Sequence, residues 1–347
     1  MTYRRSGKPA AAVLVATAVA SALAGCGSDA AVESTDQGTS KIRITVTHHP
    51  TLLYSVPYIV GMKKGFFANE DIEISEIAGS EGGGTTVRNV LSGDLPFGEV
   101  ATPAAAQALV AGSDVVAIGG AVQSVAEINW VVPKDSPVRG IEDVQGQTVA
   151  YTSPGSVTQG VLALSLDEAG VPPGRVTSKA LGGISEGLTA LDSGSVDAAA
   201  NLEPVYSSDP DPYHVAWWAN EYVPEFQQTV IIAGTELVEE QPELARSFLR
   251  ARARAVEWLN RHPEEAGRMW AKEADLDPAV TIKALRTVLK DDYYGVGFSE
   301  EGLQAVEREM GVIDLLPEGT EAPWEDLIHQ DLLPKGVGKV DTSQIGG

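Results

Sequence analysis

The chain has 347 residues, of which 43% are hydrophobic, enough for a sizeable core and, by length, for two domains or lobes. Its 25 Lys and Arg residues stand against 48 Asp and Glu residues, which gives a formal net charge of -23 at pH 7. Nucleic-acid-binding proteins need a basic surface that displaces counterions from phosphates, so this balance excludes that class. Solubility is the simplest explanation of the acidic charge.

The first 25 residues have the parts of a secretory signal peptide. Arg4, Arg5 and Lys8 precede an apolar run at 10–24 that ends in small residues. This run is too short for a membrane-spanning helix, which needs about 20 residues. The sequence LAGC ends at Cys26, the single cysteine of the chain, and resembles the lipobox of bacterial lipoproteins. The resemblance implies a signal peptide over 1–25 and lipidation of Cys26; the alternative is an ordinary signal peptide beside a chance cysteine.

Residues 26–40 are small and polar and predict a flexible tether. The folded part begins where Ile42, Ile44 and Val46 alternate with polar residues, the pattern of a half-buried strand. Strand-like and helix-like segments then alternate in β-α-β-α-β order as far as about residue 122. This order predicts parallel strands joined by crossover helices.

The same alternation resumes with a strand at Trp130–Val132 and continues through the apolar strand TVIIAG, 229–234. Beyond it the apolar residues recur at helical spacing, and Pro242 suits the first turn of a helix. The sequence therefore predicts an α/β protein with two similar halves and a helical tail.

Six loops follow the predicted strands, and most are rich in Gly, Ser and Thr and lead into helices. Helix N-termini carry unpaired N–H groups and a partial positive charge, so such loops bind anionic or strongly polar groups without a formal cation. Ser and Thr are also ordinary N-caps and Gly an ordinary turn residue, which leaves a purely structural alternative for each loop. The six loops are THHPTLLY, GSEGGGTT, ATPA, TSPGSVT, LGGIS and NLEPVYS.

Titratable and aromatic residues near these loops are further candidates. Glu203, in NLEP, is predicted to face the cleft and pair with an amine or ring N–H of a ligand, or else to be a solvated strand-end carboxylate. THHPTLLY supplies His49 and Tyr54 as candidate ligand contacts, and the aromatic side chains of Tyr58 and Trp130 are also expected near the cleft.

The sequence predicts no metal site, no cofactor and no enzyme activity. Adjacent histidines on a strand point to opposite faces, and there is no H-x-x-x-H, second cysteine or acidic cluster to complete a metal site. The loop GSEGGGTT lacks the lysine of a phosphate-binding loop. There is also no G-x-S-x-G motif and no candidate cysteine nucleophile.

Several motifs together resemble one known family. In the first half these are Gly65-Phe66-Phe67, the strand NEDIEI, the glycines 82–84 and SGDLPFG; in the second half they are SPVRGIEDVQGQTVAYTSPGS and ALDSGSVDAA. They are similar to the extracytoplasmic solute-binding proteins of ABC importers, in the subgroup that binds nitrate, aliphatic sulfonates, taurine and thiamine-pyrimidine precursors. The resemblance covers about residues 42–315.

This resemblance implies a two-lobed periplasmic-binding-protein fold of type II, with sheets rich in parallel strands. Hinge crossings are expected near 131–134 and 229–234, so that 41–132 and 235–347 form lobe 1 and 133–234 form lobe 2. Motif positions carry the family's ligand contacts onto Gly83, Thr85, Thr102, Ser153, Gly155 and Ser156. Tyr54 falls near a family position that also faces the cleft.

The predicted function is capture of a small anionic or polar solute by lobe closure and its delivery to an ABC permease with its ATPase. The protein is expected to be a monomer outside the cell membrane, anchored by acyl chains on Cys26. Two alternatives stay open: an enzyme acting on a small metabolite on the same fold, and a ligand sensor without a transport role.

Overall fold

The structure is a computed structural model, and it describes residues 32–34, 38–172 and 174–346. The predicted signal peptide, 1–25, and the lipidation site Cys26 lie outside these residues. Within the described ranges no helix is both long enough and apolar enough to cross a bilayer.

Strands and helices alternate through the first two thirds of the chain, and helices dominate the last third. The strands are β1 (Val32–Ser34), β2 (Ser40–Thr47), β3 (Ile72–Ser80), β4 (Phe97–Ala101), β5 (Val115–Gly120), β6 (Ile128–Pro133), β7 (Thr148–Tyr151), β8 (Thr177–Ala180), β9 (Ala198–Leu202), β10 (Tyr213–Trp218) and β11 (Thr229–Gly234). The helices are α1 (Val56–Lys63), α2 (Gly83–Leu91), α3 (Thr102–Val110), α4 (Val157–Glu168), α5 (Ile184–Asp192), α6 (Val205–Ser208), α7 (Thr235–Glu240), α8 (Pro242–Arg261), α9 (Pro263–Ala274), α10 (Pro278–Val288), α11 (Glu300–Val312) and α12 (Trp324–Leu327).

These elements build two sheets flanked by helices, which confirms the predicted α/β fold. The first sheet has the order β3-β2-β4-β11-β5, with β1 also paired to β2, and the second has the order β10-β6-β9-β7-β8. The pairs β2–β3, β2–β4, β7–β8 and β7–β9 are parallel. The strands next to the crossings, β6 and β11, run antiparallel to their neighbours, so each sheet is mixed.

The chain passes between the two sheets in the segments 121–127 and 219–228, which join β5 to β6 and β10 to β11. The crossings predicted near 131–134 and 229–234 overlap β6 and β11, which are already paired inside their sheets. Sequence pattern identified both strands but not which sheet each one joins, because that depends on long-range pairing. The division into two lobes stays a prediction, and strand pairing favours boundaries before β6 and before β11.

Part of the predicted tether is ordered as a strand. Val32–Ser34 pairs antiparallel with the start of β2, between Ser40 and Ile42. These three residues pair there because β2 offers free backbone hydrogen-bonding groups where β4 has not yet begun to pair. The flexible tether over 26–40 stays a prediction.

One hydrophobic cluster extends across both sheets. It contains Val100 of β4, Trp130 of β6 and Val161 of α4, together with Val306 of α11. The ring of Trp130 stacks on Trp217 of β10 with centroids 5.2 Å apart, and both side chains are buried. Helix α11 packs against α3 beside the first sheet and against α4 beside the second, so it bridges the two halves.

A buried ion pair fastens helix α8 to the first sheet. Arg252 of α8 and Glu99 of β4 are both 0% exposed, and the guanidinium Nη2 lies 3.4 Å from Glu99 Oε2. Tyr58 Oη donates to Glu99 Oε2 at 2.7 Å, and Thr229 Oγ1 donates to Oε1 at 2.9 Å. Arg252 also donates to the carbonyl of Gly295. The carboxylate thus has three partners from three separate segments of the chain.

A second buried carboxyl group, that of Glu309 in α11, is much less well accommodated. Glu309 is 1% exposed and packs against Gly160 of α4, where an added Cβ would lie 2.1 Å from Glu309 Cγ. Its Oε2 has no hydrogen-bond partner. Burial therefore raises the pKa of Glu309 well above its ordinary value.

Candidate functional site

A cavity of about 470 Å³ lies between the two sheets, at the carboxyl ends of their parallel strands. Its first wall comes from the ends of β2, β3 and β4 and from the starts of α2 and α3. Its second wall comes from the ends of β7, β8 and β9 and from the starts of α4 and α5. Residues at or directly after the crossings complete it, namely Ile128 of β6, Gln228 and Thr229 of β11. Loops from both halves therefore meet at one site, as the strand-end argument predicts.

Besides α3, the helices α2, α4 and α5 begin at this cavity. The starts of α2 at Gly82–Gly84, of α4 at Ser153–Val157 and of α5 at Gly182–Ile184 all line it. First-turn N–H groups have no partner within their helix, so these starts offer donors to a polar ligand. At α4 the loop also has a capping role, because Ser156 is the N-cap and its Oγ accepts from the backbone N–H of Gln159.

Five of the nine predicted ligand contacts line the cavity: Tyr54, Gly83, Ser153, Gly155 and Ser156. The hydroxyls of the second wall form a network, in which Thr152 Oγ1 donates to Ser156 Oγ at 3.0 Å and lies 2.7 Å from Thr158 Oγ1. This network fixes the loop that sequence pattern identified as one side of a pocket. A direct ligand contact by any of the five residues stays a prediction.

His49 and Thr85 lie outside the cavity lining. The ring Nδ1 of His49 lies 3.0 Å from Ser55 Oγ, which turns the side chain toward the start of α1. Thr85 Oγ1 accepts from Arg88 Nη2 at 2.9 Å on the surface of α2. Both side chains are used in local hydrogen bonds of the chain.

Thr102 and Glu203 are likewise outside the lining, and each has a structural partner. The Thr102 hydroxyl is buried and donates to the carbonyl of Gln227 at 2.5 Å, which ties α3 to the crossing 219–228. The Glu203 carboxylate accepts from Ser207 Oγ at 2.9 Å and from the Ser207 backbone N–H at 3.2 Å. Neighbouring side chains on a strand point to opposite faces, so Leu202 lines the cavity and Glu203 does not.

The aromatic expectation holds only for Tyr54. Tyr58 is buried against Glu99, and Trp130 is buried against Trp217 with its Nε1 donating to the carbonyl of Ala150 at 3.0 Å. Tyr58 lies on helix α1 and Trp130 on strand β6, and both side chains are buried in the core.

Several lining residues were not predicted as contacts. Glu81, Gln107, Thr152, Thr158, Gly182, Gly183 and Gln228 all line the cavity. Most of them lie in the loops that sequence reasoning had singled out, so extending the prediction to every residue of each loop would have found them. Gln107 and Gln228 carry no such signal, because one lies within α3 and the other in a crossing whose position depends on tertiary structure.

The cavity lining carries little charge. Among its described residues no Lys, Arg or Asp occurs, and Glu81 is the single acid. His48 lies within electrostatic reach of Glu81, but burial lowers the pKa of His48 and outweighs the opposite effect of that carboxylate. The imidazole is therefore mainly neutral at pH 7. No cluster of three or more His, Cys, Asp or Glu suited to a metal ion occurs in the described part of the chain.

Beneath the cavity the two crossings are joined by a buried hydrogen bond. Gln228 Nε2 donates to Glu127 Oε1 at 2.6 Å, whereas Glu127 Oε2 has no partner at hydrogen-bond distance. Burial raises the pKa of Glu127 to about 7, opposed by the amide of Gln228 and by the nearby hydroxyls of Tyr293 and Tyr54. The group that links the crossings is thus divided between its charged and neutral forms near neutral pH.

Close packing at the cavity wall is expected to require a glycine at position 83 but not at its neighbour, Gly84. An added Cβ at Gly83 would lie 2.5 Å from Ala104 Cβ and 3.2 Å from Val100 Cγ2, so Gly83→Ala must push α2 away from α3. We expect a loss of about 1–3 kcal/mol in the free energy of unfolding, measured with a denaturant. The matched control is Gly84→Ala, whose Cβ would meet only the flexible end of Arg88 at 3.4 Å. Equal losses in the two variants would contradict this packing argument.

Comparisons with known proteins agree with this architecture. Over 279 residues the chain is 25% identical to a Bacillus subtilis protein named for binding aliphatic sulfonates, covering 79% of this chain and 81% of that one. Over 255 residues it is 26% identical to the formylaminopyrimidine-binding protein of Halalkalibacterium halodurans, covering 70% and 73%.

Among solved structures, the periplasmic aliphatic sulphonate binding protein SsuA of Escherichia coli superimposes with a TM-score of 0.70 at 17% identity. The match covers 87% of this chain and 95% of that one, and it shows that the two proteins share a fold. The model of the family described as NMT1/THI5 like matches residues 53–266, which include the second wall of the cavity and the part of the first wall that follows residue 52. The chain therefore belongs to the NMT1/THI5-like family.

Proposed function

We propose that the protein is the solute-binding component of an ABC importer, which captures a small polar solute between its two halves and delivers it to a membrane permease. The observation that carries this proposal is the cavity whose two walls come from different sheets, with both crossings at its base. A solute that contacts both walls favours the closed arrangement over an open one. Relatives named for binding small solutes, rather than for catalysis, support it.

We propose that the solute belongs to one of three classes: aliphatic sulfonates, which include taurine; nitrate; or thiamine-pyrimidine precursors. Helix starts and hydroxyl groups on the second wall supply N–H and O–H donors, which suit a sulfonate, a nitrate or a ring nitrogen. Relatives named for sulfonates and for a formylaminopyrimidine both fit this set of donors.

We also propose that the protein acts as a monomer on the outer face of the cell membrane, anchored by acyl chains on Cys26. The signal-peptide pattern and the lipobox resemblance support this placement. Each buried CH₂ of an acyl chain contributes about 0.8 kcal/mol of membrane affinity. The partners are then a permease and its ATPase, which receive the solute after lobe closure.

A thermal-shift panel tests the proposed solute binding. The lipid-free protein is mixed with ethanesulfonate, taurine, nitrate or formylaminopyrimidine, and at least one of them is expected to raise the melting temperature. A ligand at 100 times its Kd stabilises the folded state by about 2.7 kcal/mol.

Two variants of α3 show whether binding occurs in the cavity. Ala104→Phe places a ring in the cavity lining and should abolish the shift, whereas Ala111→Phe, at the exposed C-cap of the same helix and outside the lining, should preserve it. No shift with any compound, or an undiminished shift in Ala104→Phe, would overturn the proposal.

A further inference from the structure

The two walls of the cavity differ in their charge. The second wall, from the starts of α4 and α5 and the end of β9, contains no titratable residue among its described lining positions. The first wall contains Glu81, at the end of β3, and His48, at the end of β2. The formal charge of the cavity lining is thus confined to one side.

Glu81 is accessible to a ligand. It is an exposed residue directly before the glycines that begin α2, and it forms no ion pair in the described part of the chain. Its carboxylate also offsets the partial positive charge at the start of α2. The first wall is therefore unfavourable for an anion, even though a helix begins there.

His48 does not compensate for this charge. Burial lowers the pKa of the His48 imidazole, so the ring is mainly neutral at pH 7. The remaining titratable residue of the wall is Tyr54, whose pKa is raised well above its ordinary value by burial and by Glu127, which keeps the phenol neutral. Among the described lining residues, Glu81 is therefore the one that gives the cavity a formal charge.

We propose that Glu81 selects the charge of the solute, favouring one that places a cationic or N–H donor group against the first wall and its acceptor group against the starts of α4 and α5. This inference rests on the proposed function, because it assumes that the solute occupies this cavity. It gives Glu81 the role that sequence analysis had assigned to Glu203, whose carboxylate is occupied by Ser207. A solute that is anionic at both ends is disfavoured.

Calorimetry with two matched pairs of compounds tests the inference. The first pair is taurine and ethanesulfonate, which differ by an ammonium group; the second is a pyrimidine bearing an aminomethyl group and the same ring bearing a carboxylate. Glu81→Gln keeps the shape of the side chain and removes its charge. Two charges about 4 Å apart in water interact by about 1 kcal/mol, which converts to roughly a five-fold change in affinity.

For a pair that binds the wild-type protein, Glu81→Gln is expected to lower the affinity for the cationic compound about three- to ten-fold. The affinity for the other compound should stay unchanged or increase. The difference should shrink at high salt, because Glu81 is exposed. The control is Glu73→Gln on β3, the strand that directly precedes Glu81; it is an exposed position outside the cavity and should alter neither affinity.

The outcomes separate the two proposals. If the wild-type protein binds members of a pair and Glu81→Gln leaves their affinity ratio unchanged, charge selection by Glu81 is wrong and the proposed function stands. If none of the four compounds and none of the thermal-shift panel binds, the proposed function fails and this inference fails with it.

Discussion

Replacement of Arg252 by methionine is expected to lower the free energy of unfolding by about 3–5 kcal/mol, because it leaves the Glu99 carboxylate buried without its cation. Tyr58 and Thr229 still donate to that carboxylate, but two neutral hydroxyl donors do not replace a guanidinium. Denaturant unfolding followed by circular dichroism measures the loss. The loss should also be larger at pH 8 than at pH 5. Without its cation, a buried carboxyl group has a raised pKa, so it stays protonated more readily at pH 5, whereas at pH 8 its ionisation is favoured only in the unfolded chain.

Two further variants identify the cause of the loss. Arg246→Met removes an arginine from the same helix, where it pairs with Glu243 on the surface, and should change stability by no more than about 0.5 kcal/mol. The double variant Arg252→Met/Glu99→Gln should recover a large part of the loss, because no buried charge then remains. Additive losses from the two single substitutions would show that the pair is not coupled.

Replacement of Glu309 by methionine is expected to do the opposite and stabilise the protein by about 1–3 kcal/mol at pH 8. The carboxyl is buried against Gly160 and its Oε2 is unpartnered, so an unbranched apolar side chain of similar size suits the site better. Melting temperatures of wild type and variant at pH 5, 7 and 8 measure the gain.

The pH dependence of this gain follows from the raised pKa. In the unfolded chain Glu309 ionises near its ordinary value of 4.5, whereas the folded protein retains the proton to a higher pH. The unfolded state therefore binds fewer protons between the two values, and wild-type stability falls as pH rises through that range. Glu309→Met abolishes this component, so its advantage should be larger at pH 8 than at pH 5.

An exposed acid on the same helix provides the comparison. Glu301→Met, in the first turn of α11, should destabilise slightly, because an acid there interacts favourably with the helix dipole. If the stabilities of wild type and Glu309→Met differ by the same amount at every pH, a raised pKa of Glu309 is not the source of the stabilisation.

The local sequence pattern is sufficient to predict many of the strands, helices and loops that form the site. The alternating residues of β2, the apolar run of β11 and the first-turn Pro242 of α8 all form the predicted elements. Gly83, Ser153 and Ser156 line the cavity because a loop between a parallel strand and its helix must lie at the same edge of the sheet as its neighbours. These properties depend on short stretches of chain, which a single sequence displays.

Side-chain direction and charge environment required the tertiary structure. Glu203 and Thr102 are predicted to lie in the cleft, yet Glu203 accepts from Ser207 in the next helix, and Thr102 donates to Gln227 far along the chain. The strand β10 escaped prediction because its burial comes from stacking of Trp217 on Trp130.

The amino-acid order alone therefore predicts the α/β succession of the chain, the helical tail and the loops that surround the cavity. The places where the chain crosses between sheets, the lining residue that carries charge, and the contact of Glu99 with Arg252 depend instead on the folded arrangement. Strand and helix patterns arise from neighbours in sequence, whereas the pairing of strands and the burial of charges involve residues that are far apart in sequence and meet on folding.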